Sequence, residues 1–260
     1  MRILLTGNKG FIGTHISIFF GDNSLGFVGI DKEDTVPKEP FDIILHFGAR
    51  TLIRNSLERP YEYFLDNEDF TMRILEKCRQ DESIIVFPTS GSVSLPTNPY
   101  SLTKKNSEEW VNMYSKLYGV RSYILKLFNI YGEGSKKGAV YLFTKAAVTN
   151  KPATVFGDGT HKRDFVYVKD LVNFIHDIIQ GKVNFGVHEI GTGTGTSIND
   201  LISIIEKVLH KKIEVIHKPY ILEEADDLHA LHSSLKSPTR LEEGVQKVLE
   251  GIYNENIRHD

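Results

Sequence analysis

The strongest constraint on the fold lies in residues 2–13. Arg2-Ile3-Leu4-Leu5 reads as a short buried strand, and Thr6-Gly7-Asn8-Lys9-Gly10-Phe11-Ile12-Gly13 follows it directly. An apolar helical repeat (Ile12, Ile16, Phe19, Phe20) comes next. Glycines at a strand-to-helix junction let the backbone turn tightly and approach a ligand diphosphate, which the positive end of the helix attracts. Gly13 would let the helix pack closely on the strand. The spacing, G-x-x-G-x-x-G, is one residue wider than the general dinucleotide fingerprint. Gly7, Gly10, Phe11, Ile12 and Gly13 are therefore expected to line a dinucleotide.

Further strands follow at the intervals a parallel, doubly wound sheet requires. Gly26–Ile30 ends at Asp31, whose carboxylate can accept from an adenosine ribose and repel a 2′-phosphate, favouring NAD over NADP; Lys32, next in sequence, blurs that preference. Asp42–His46 is the next strand, followed by Phe47-Gly48-Ala49-Arg50, and the spacing predicts a helix from about Tyr61 to Cys78 with Leu65, Ile74 and Leu75 buried. Ile84–Phe87 and Ser122–Phe128 complete the set. Ligands of such sheets sit beyond the carboxyl ends of the strands, and Gly7, Asp31, His46 and Ser90 all fall there.

The stretch Ser90–Lys104 carries the candidate chemistry. Tyr100 and Lys104 lie four residues apart, so a phenol and an ammonium share one helix face. A nearby cation favours the phenolate and should lower the tyrosine pKa, giving a base usable near neutral pH. Ser90 could polarise the same substrate oxygen. Along the same helix Trp110, Met113, Tyr114 and Leu117 form an apolar face, expected to pack mainly on the sheet.

In the second half, Asn129 ends a strand where its amide can hydrogen-bond a sugar hydroxyl or a phosphate. Arg163 offers a bidentate fork to a diphosphate, while Asp164 and Asp170 are expected to orient loops or cap the following helix. Gly191-x-Gly193-x-Gly195 precedes Ser197-Ile198-Asn199-Asp200, which reads as a helix cap rather than a second phosphate loop. Asp226, Asp227, His229 and His232 read as hydrogen-bonded surface groups, and no metal site is assigned.

Composition bounds the rest. The 260 residues suffice for one large domain, or a large domain carrying a small one. A net charge of -3 argues against a nucleic-acid surface. The single cysteine, Cys78, suits a reducing compartment; residues 1–5 are too short for a signal-peptide core, and no apolar run approaches membrane-spanning length. A soluble, cytoplasmic protein is expected.

Together, Thr6-Gly7-x-x-Gly10-Phe11-Ile12-Gly13, His46-Phe47-Gly48-Ala49, Ser90 and Tyr100-x-x-x-Lys104 resemble the extended short-chain dehydrogenases/reductases, and more narrowly the NAD-dependent epimerase/dehydratase group acting on nucleotide sugars. Arg54-x-Ser56 with Pro60, Asn67, the run Asn129-x-Tyr131-Gly132 and the segment Gly157–Asp170 resemble the same pattern. The resemblance implies Tyr100 as base/acid on a sugar hydroxyl, Lys104 on the nicotinamide ribose and Ser90 on the reacting oxygen. It implies that Phe47, Gly48, Ala49 and Asn67 line NAD, with His46 packing beside it, and that Asn129, Arg163 and Lys218 contact the substrate. It also implies a homodimer through two helices per subunit. The chain departs from the family where Lys32–Phe41 replaces a helix and a strand that usually supply an aspartate to the adenine; Asp34 is a candidate substitute.

The expected architecture is thus α/β, a doubly wound parallel (Rossmann) sheet with a small C-terminal α/β substrate-binding lobe. Residues 1–130 are assigned mainly to NAD and 131–260 mainly to substrate, with the 165–195 region returning to the sheet. The expected activity is 4-epimerisation of a nucleoside-diphosphate sugar, UDP-linked, by transient oxidation at C4. A nucleotide-sugar 4-ketoreductase or dehydrogenase is the alternative. A 4,6-dehydratase is weaker, because Gly91-Ser92 stands where that chemistry needs Asp-Glu. A non-catalytic dinucleotide sensor is the remote competitor.

Overall fold

The computed structural model describes residues 1–91, 96–219 and 227–257. It divides into two compact units, one of residues 1–127 and 176–188, the other of 128–175 and 189–260.

The first unit is organised by strands too apolar for any place but a sheet covered on both faces. β1 (Ile3–Thr6) and β3 (Ile43–His46) are buried at every position. β1 lies between β3 and β2 (Phe27–Ile30), parallel to both, with Thr6 opposite His46 on one side and Ile30 on the other. β4 (Ile84–Ser90) pairs with β3, and β5 (Ser122–Leu127) with β4, again in parallel. Gly186–Ile190 completes a six-stranded sheet at the edge opposite β2. The α/β, Rossmann-like architecture is the one expected.

Helices cover the strands. α1 (Phe11–Asp22) buries Gly13, Ile16 and Phe20. α2 (Ile53–Glu58) and α3 (Pro60–Tyr63) lead into a π-helical turn, Phe64–Asp69, and then α4 (Phe70–Asp81). The single helix expected from Tyr61 to Cys78 is therefore broken in register, and Leu65, expected in the core, is 37% exposed. Ile74 and Leu75 are buried with Leu4, Ile44, Phe87 and Val111 in the central cluster. α5 (Pro99–Tyr118) starts with a reciprocal capping box between Asn98 and Ser101. It buries Val111 and Tyr114, but Trp110, Met113 and Leu117 are 40%, 46% and 60% exposed. The expected packing of those three on the sheet is wrong. The buried stripe of α5 is narrower than its apolar content, because Ser101, Lys104, Ser107 and Glu108 occupy part of the covered face.

β2 is a sheet edge, and Val28 and Gly29 face solvent. The chain then runs to β3 through residues 31–42 without a further strand. That short connection is held from α4. The Lys77 ammonium donates to the carbonyls of Lys38 (3.1 Å) and Glu39 (2.9 Å) and pairs with Asp81 at 2.8 Å. Asp81 in turn accepts from the Phe41 amide.

In the second unit, 129–131 pairs in parallel with 165–167, and 215–218 with 153–156. A three-stranded sheet joins 162–163 to 196–197 and 227–228. Ser197 caps the helix Ile198–Leu209 by accepting from the Asp200 amide, as its sequence implied. Among the described residues no helix is long and apolar enough to cross a membrane.

Lys77 and Asp81 are an almost fully covered pair, so removing one partner strands the other. Lys77→Met should cost about 3 kcal/mol in chemical unfolding. It should also speed hydrogen exchange at the Phe41 amide, and unchanged exchange there would show that the pair does not hold the connection.

Candidate functional site

The glycine turn is built by close approach. Gly7 adopts φ +71°, and a Cβ there would lie 2.7 Å from the Gly48 backbone. A Cβ on Gly13 would fall 2.1 Å from the Gly7 carbonyl oxygen, so α1 can pack against the turn only with glycine there. Gly10 precedes α1 in an extended conformation, no side chain caps the helix, and its first turn holds no acid. The first intrahelical bond runs from the Thr14 amide to the Gly10 carbonyl, which leaves the Phe11, Ile12 and Gly13 amides at the helix end. That end, lined by bare glycines, fits a dinucleotide diphosphate. Gly29 makes room for Asn8, since a Cβ there would meet Asn8 Nδ2 at 2.6 Å. Asn8 Oδ1 is buried and without a hydrogen-bond partner among the described residues.

Asp31 follows β2, and its carboxylate accepts from the Lys32 amide at 2.9 Å. Asp34, the candidate substitute for the missing aspartate, turns back instead, accepting from the Asp31 amide at 2.7 Å. The Phe47 amide donates to Thr6 O at 3.2 Å and the Gly48 amide to Thr6 Oγ1 at 2.9 Å. Ala49 continues this loop to Arg50.

A chain of buried polar groups links the turn to α5. His46 Nδ1 lies 2.8 Å from Thr6 Oγ1 and Nε2 3.0 Å from Thr71 Oγ1. Thr71 donates to the Asn67 carbonyl at 2.5 Å. Asn67 holds the loop after β3 through the Arg50 amide (2.7 Å) and carbonyl (3.1 Å), and donates to Thr103 Oγ1 at 3.1 Å. Burial holds the His46 pKa down to about 3, with the Lys104 charge adding to the effect, so the ring is neutral.

At the other end of this chain stand Ser90, Tyr100 and Lys104. Ser90 closes β4 and its side chain hydrogen-bonds Tyr100. The Lys104 ammonium sits over the Phe87 ring, 4.3 Å from its centroid. The expected lowering of the phenol pKa is not found. Burial pushes Tyr100 up to about 12, opposed by the Ser90 hydrogen bond and reinforced by Tyr63. Burial likewise pushes Lys104 down to about 7, opposed by Glu108. Desolvation outweighs the attraction expected between phenolate and ammonium.

Glu108 was missed by the sequence reading, although it continues the i, i+4, i+8 series Tyr100, Lys104, Glu108 on one helix face. It is buried, and its Oε2 has no hydrogen-bond partner among the described residues. Asp66 and Arg50 were missed too, since neither falls in a motif.

The second unit carries the remaining candidates. The Asn129 backbone N–H donates to Asp164 O at 2.9 Å, and its side-chain amide lies 3.4 Å from the same oxygen; the residue pairs in register with Phe165. Arg163 lies opposite Thr196 and donates to Lys162 O at 2.8 Å. Lys218 lies opposite Phe156, and its carbonyl accepts from Gly157. Asp164 orients loops, as anticipated, by accepting from Thr192, Gly193 and Ala230. Asp170 accepts from Thr239. Asp227 pairs with His229 at 2.6 Å; Asp226 lies outside the described residues, as do Ser92 and 220–225.

Residues 3–191 match the family model of the NAD dependent epimerase/dehydratase family. A putative UDP-glucose 4-epimerase of Methanocaldococcus jannaschii is 28% identical, over 98% of this chain and 99% of that protein. The structure of a UDP-glucose 4-epimerase of Thermotoga maritima with UDP-glucose aligns with a TM-score of 0.88 at 22% identity, over 98% of this chain and 100% of that one. A UDP-glucuronic acid 4-epimerase of Bacillus cereus, solved with UDP-glucuronic acid and NAD, gives 0.86 at 24% identity over the same shares.

The Lys104 shift fixes a pH dependence. Its folded pKa of about 7 lies below the ordinary lysine value, so between the two the unfolded chain binds more protons and stability rises with pH. Lys104→Met should therefore be the more stable protein below about pH 7, its advantage shrinking by up to about 1.4 kcal/mol per pH unit above that. A pH-independent difference in urea unfolding would show that the lysine keeps its ordinary pKa.

Proposed function

Because the chain belongs to the NAD dependent epimerase/dehydratase family, we propose that it is an NAD-dependent 4-epimerase of a nucleoside-diphosphate hexose, with UDP as the nucleotide. The observation that carries the reading is the Tyr100 phenol, half-buried and hydrogen-bonded to the Ser90 hydroxyl at the end of β4, with the Lys104 ammonium one helical turn on. The M. jannaschii relative, named for UDP-glucose and matched along its whole length, supports the substrate class.

In this assignment the open end of α1 and the glycines Gly7, Gly10 and Gly13 hold the diphosphate of NAD. Phe11, Ile12, Asp31, Lys32, Phe47, Gly48, Ala49 and Asn67 line the rest of its site. Bound NAD would supply reversible hydride acceptance for the sugar C4. Tyr100 takes the C4 hydroxyl proton and later gives it back, while Ser90 holds that oxygen by a hydrogen bond. A phenol held near 12 parts with its proton only against a nearby positive charge, and Lys104 provides one on the same helix face. Glu108 favours the charged form of that lysine. His46, neutral and enclosed by two threonines, supports the site without exchanging protons.

Asn129, Arg163 and Lys218 are assigned to the substrate, as amide, fork and point charge. Residues 1–130 serve mainly NAD and 131–260 mainly substrate, and the edge strand Gly186–Ile190 supports the return of the 165–195 region to the sheet. The exposed Trp110, Met113 and Leu117, with Leu102 on the same face of α5, support a homodimer through this helix. A cytoplasmic location fits the single, buried Cys78.

Denaturing the freshly purified protein should release stoichiometric NAD. Tyr100→Phe should lower UDP-glucose/UDP-galactose interconversion on the order of 10²–10⁴-fold while retaining bound NAD. Near wild-type turnover in that variant would remove the mechanism. Trp110→Glu should shift the sedimentation of a dimer to that of a monomer, and an unchanged dimer would place the interface elsewhere.

A further inference from the structure

Two cations stand near the Asp31 end of β2, where a dinucleotide of this fold presents its adenosine ribose. Lys32 follows Asp31 directly and donates its amide to the Asp31 carboxylate. Arg50 ends the loop Phe47-Gly48-Ala49 beyond β3. Side chains of this kind bind a ribose 2′-phosphate when they are available. Neither is available here. The Lys32 ammonium is 2.8 Å from Asp66 Oδ2, and the same oxygen accepts from Arg50 Nε. The far end of the guanidinium is taken by Glu62, 2.8 Å from Nη2. Asp66 sits on the π-helical turn, next to Asn67, whose side chain holds the Arg50 backbone from both sides. The carboxylate, the loop and both cations thus form one fixed group.

We propose that Asp66 is the positioning residue that sets cofactor choice in this chain, holding Lys32 and Arg50 away from the ribose so that Asp31 alone addresses its 2′ position. The assignment rests on the NAD reading above and extends it. It also resolves the conflict in the sequence, where an acid favouring NAD is followed at once by a lysine favouring NADP. The lysine is engaged by Asp66. The pair ties Lys32 to the π-turn at a sheet edge that, among the described residues, has no further strand beside β2.

The test compares adenosine 2′,5′-bisphosphate with 5′-AMP by calorimetry, which reads the 2′ position apart from catalysis. Asp66→Asn is nearly isosteric and removes the carboxylate that Lys32 and Arg50 Nε share, while Glu62 still holds Arg50 Nη2. Its affinity for the 2′,5′-bisphosphate should rise about tenfold or more, with 5′-AMP affinity within about twofold. A structural role alone would weaken both ligands together. Adding Lys32→Ala or Arg50→Ala to Asp66→Asn should remove the gain. No gain in Asp66→Asn, or a gain that survives loss of both cations, overturns the proposal. Arg50→Ala in the otherwise unaltered chain gives a second reading that does not depend on the fold of the first variant. It should change 2′,5′-bisphosphate affinity by less than about threefold, and a tenfold loss would place the guanidinium already on the phosphate. Failure of the wild type to bind 5′-AMP or NAD would instead count against the NAD reading itself.

Discussion

The first unit depends on a directed line of buried hydrogen bonds, with His46 at its centre. The Thr71 hydroxyl gives its proton to the Asn67 carbonyl, so it must accept from His46 Nε2. His46 Nδ1 then accepts from Thr6, whose oxygen accepts from the Gly48 amide. The direction of each bond fixes the next, and a protonated imidazole would present two donors and reverse the Thr6 bond. The depressed pKa of His46, about 3, protects this order over the whole neutral range. In a low-dielectric interior such a line is stabilising only when every member is satisfied. Its effect is positional: the glycine turn, the loop after β3, the π-turn and α5 are set relative to one another by polar contacts as well as by apolar ones.

The π-turn is what brings Asn67 into that line. The Asn67 carbonyl accepts from both Thr71 and Ser107, so helices α4 and α5 share one acceptor. The same break in register leaves Asp66 facing Lys32 and Arg50, and it tilts Leu65 toward solvent. Loss of a strand beyond β2 removes one wall, and ion pairs take its place. Lys77 and Asp81 tie down residues 38–41, and Asp66 ties down residue 32. Both devices reach across from the segment 64–81, which thereby substitutes for the backbone pairing of a wider sheet.

Much of this was legible in the sequence where local rules and the fold agree. The buried strands, the glycine turn and the ends that carry Gly7, Asp31, His46 and Ser90 follow from periodicity and strand–turn–helix order. The capped helix after Ser197 follows from its hydroxyl and Asp200. What periodicity could not deliver were the places where two elements compete for one residue. Nothing local marks the π-turn, because its register shift is enforced by Asn67 and its partners from 50 and 103. The Tyr100 pKa was misjudged because spacing reports that a cation is near, whereas burial, which dominates, is a property of the assembled core. Asp66 was invisible for a related reason: an ordinary surface acid by composition, it acquires meaning only when residues 32 and 50 are brought to it.

α5 shows how tightly these demands interlock. One face carries Tyr100, Lys104, Ser107 and Glu108, so a large part of its buried area is polar or ionisable. Such a face contributes little transfer free energy and loses part of it in desolvating Lys104 and Glu108. Val111 and Tyr114 supply the apolar burial at the far end, leaving Leu102, Trp110, Met113 and Leu117 exposed on the opposite side. A helix that existed only to pack on its sheet would have the reverse arrangement, with its largest apolar groups inward and its charges outward. Its amphipathicity is explained when the two faces serve different ends. The inner one presents a phenol and an ammonium, and the outer one leaves Leu102, Trp110, Met113 and Leu117 open to solvent. Covering the outer face would also stiffen the helix that fixes Tyr100 and Lys104, so the proposed association and the proposed proton transfer would draw on the same element.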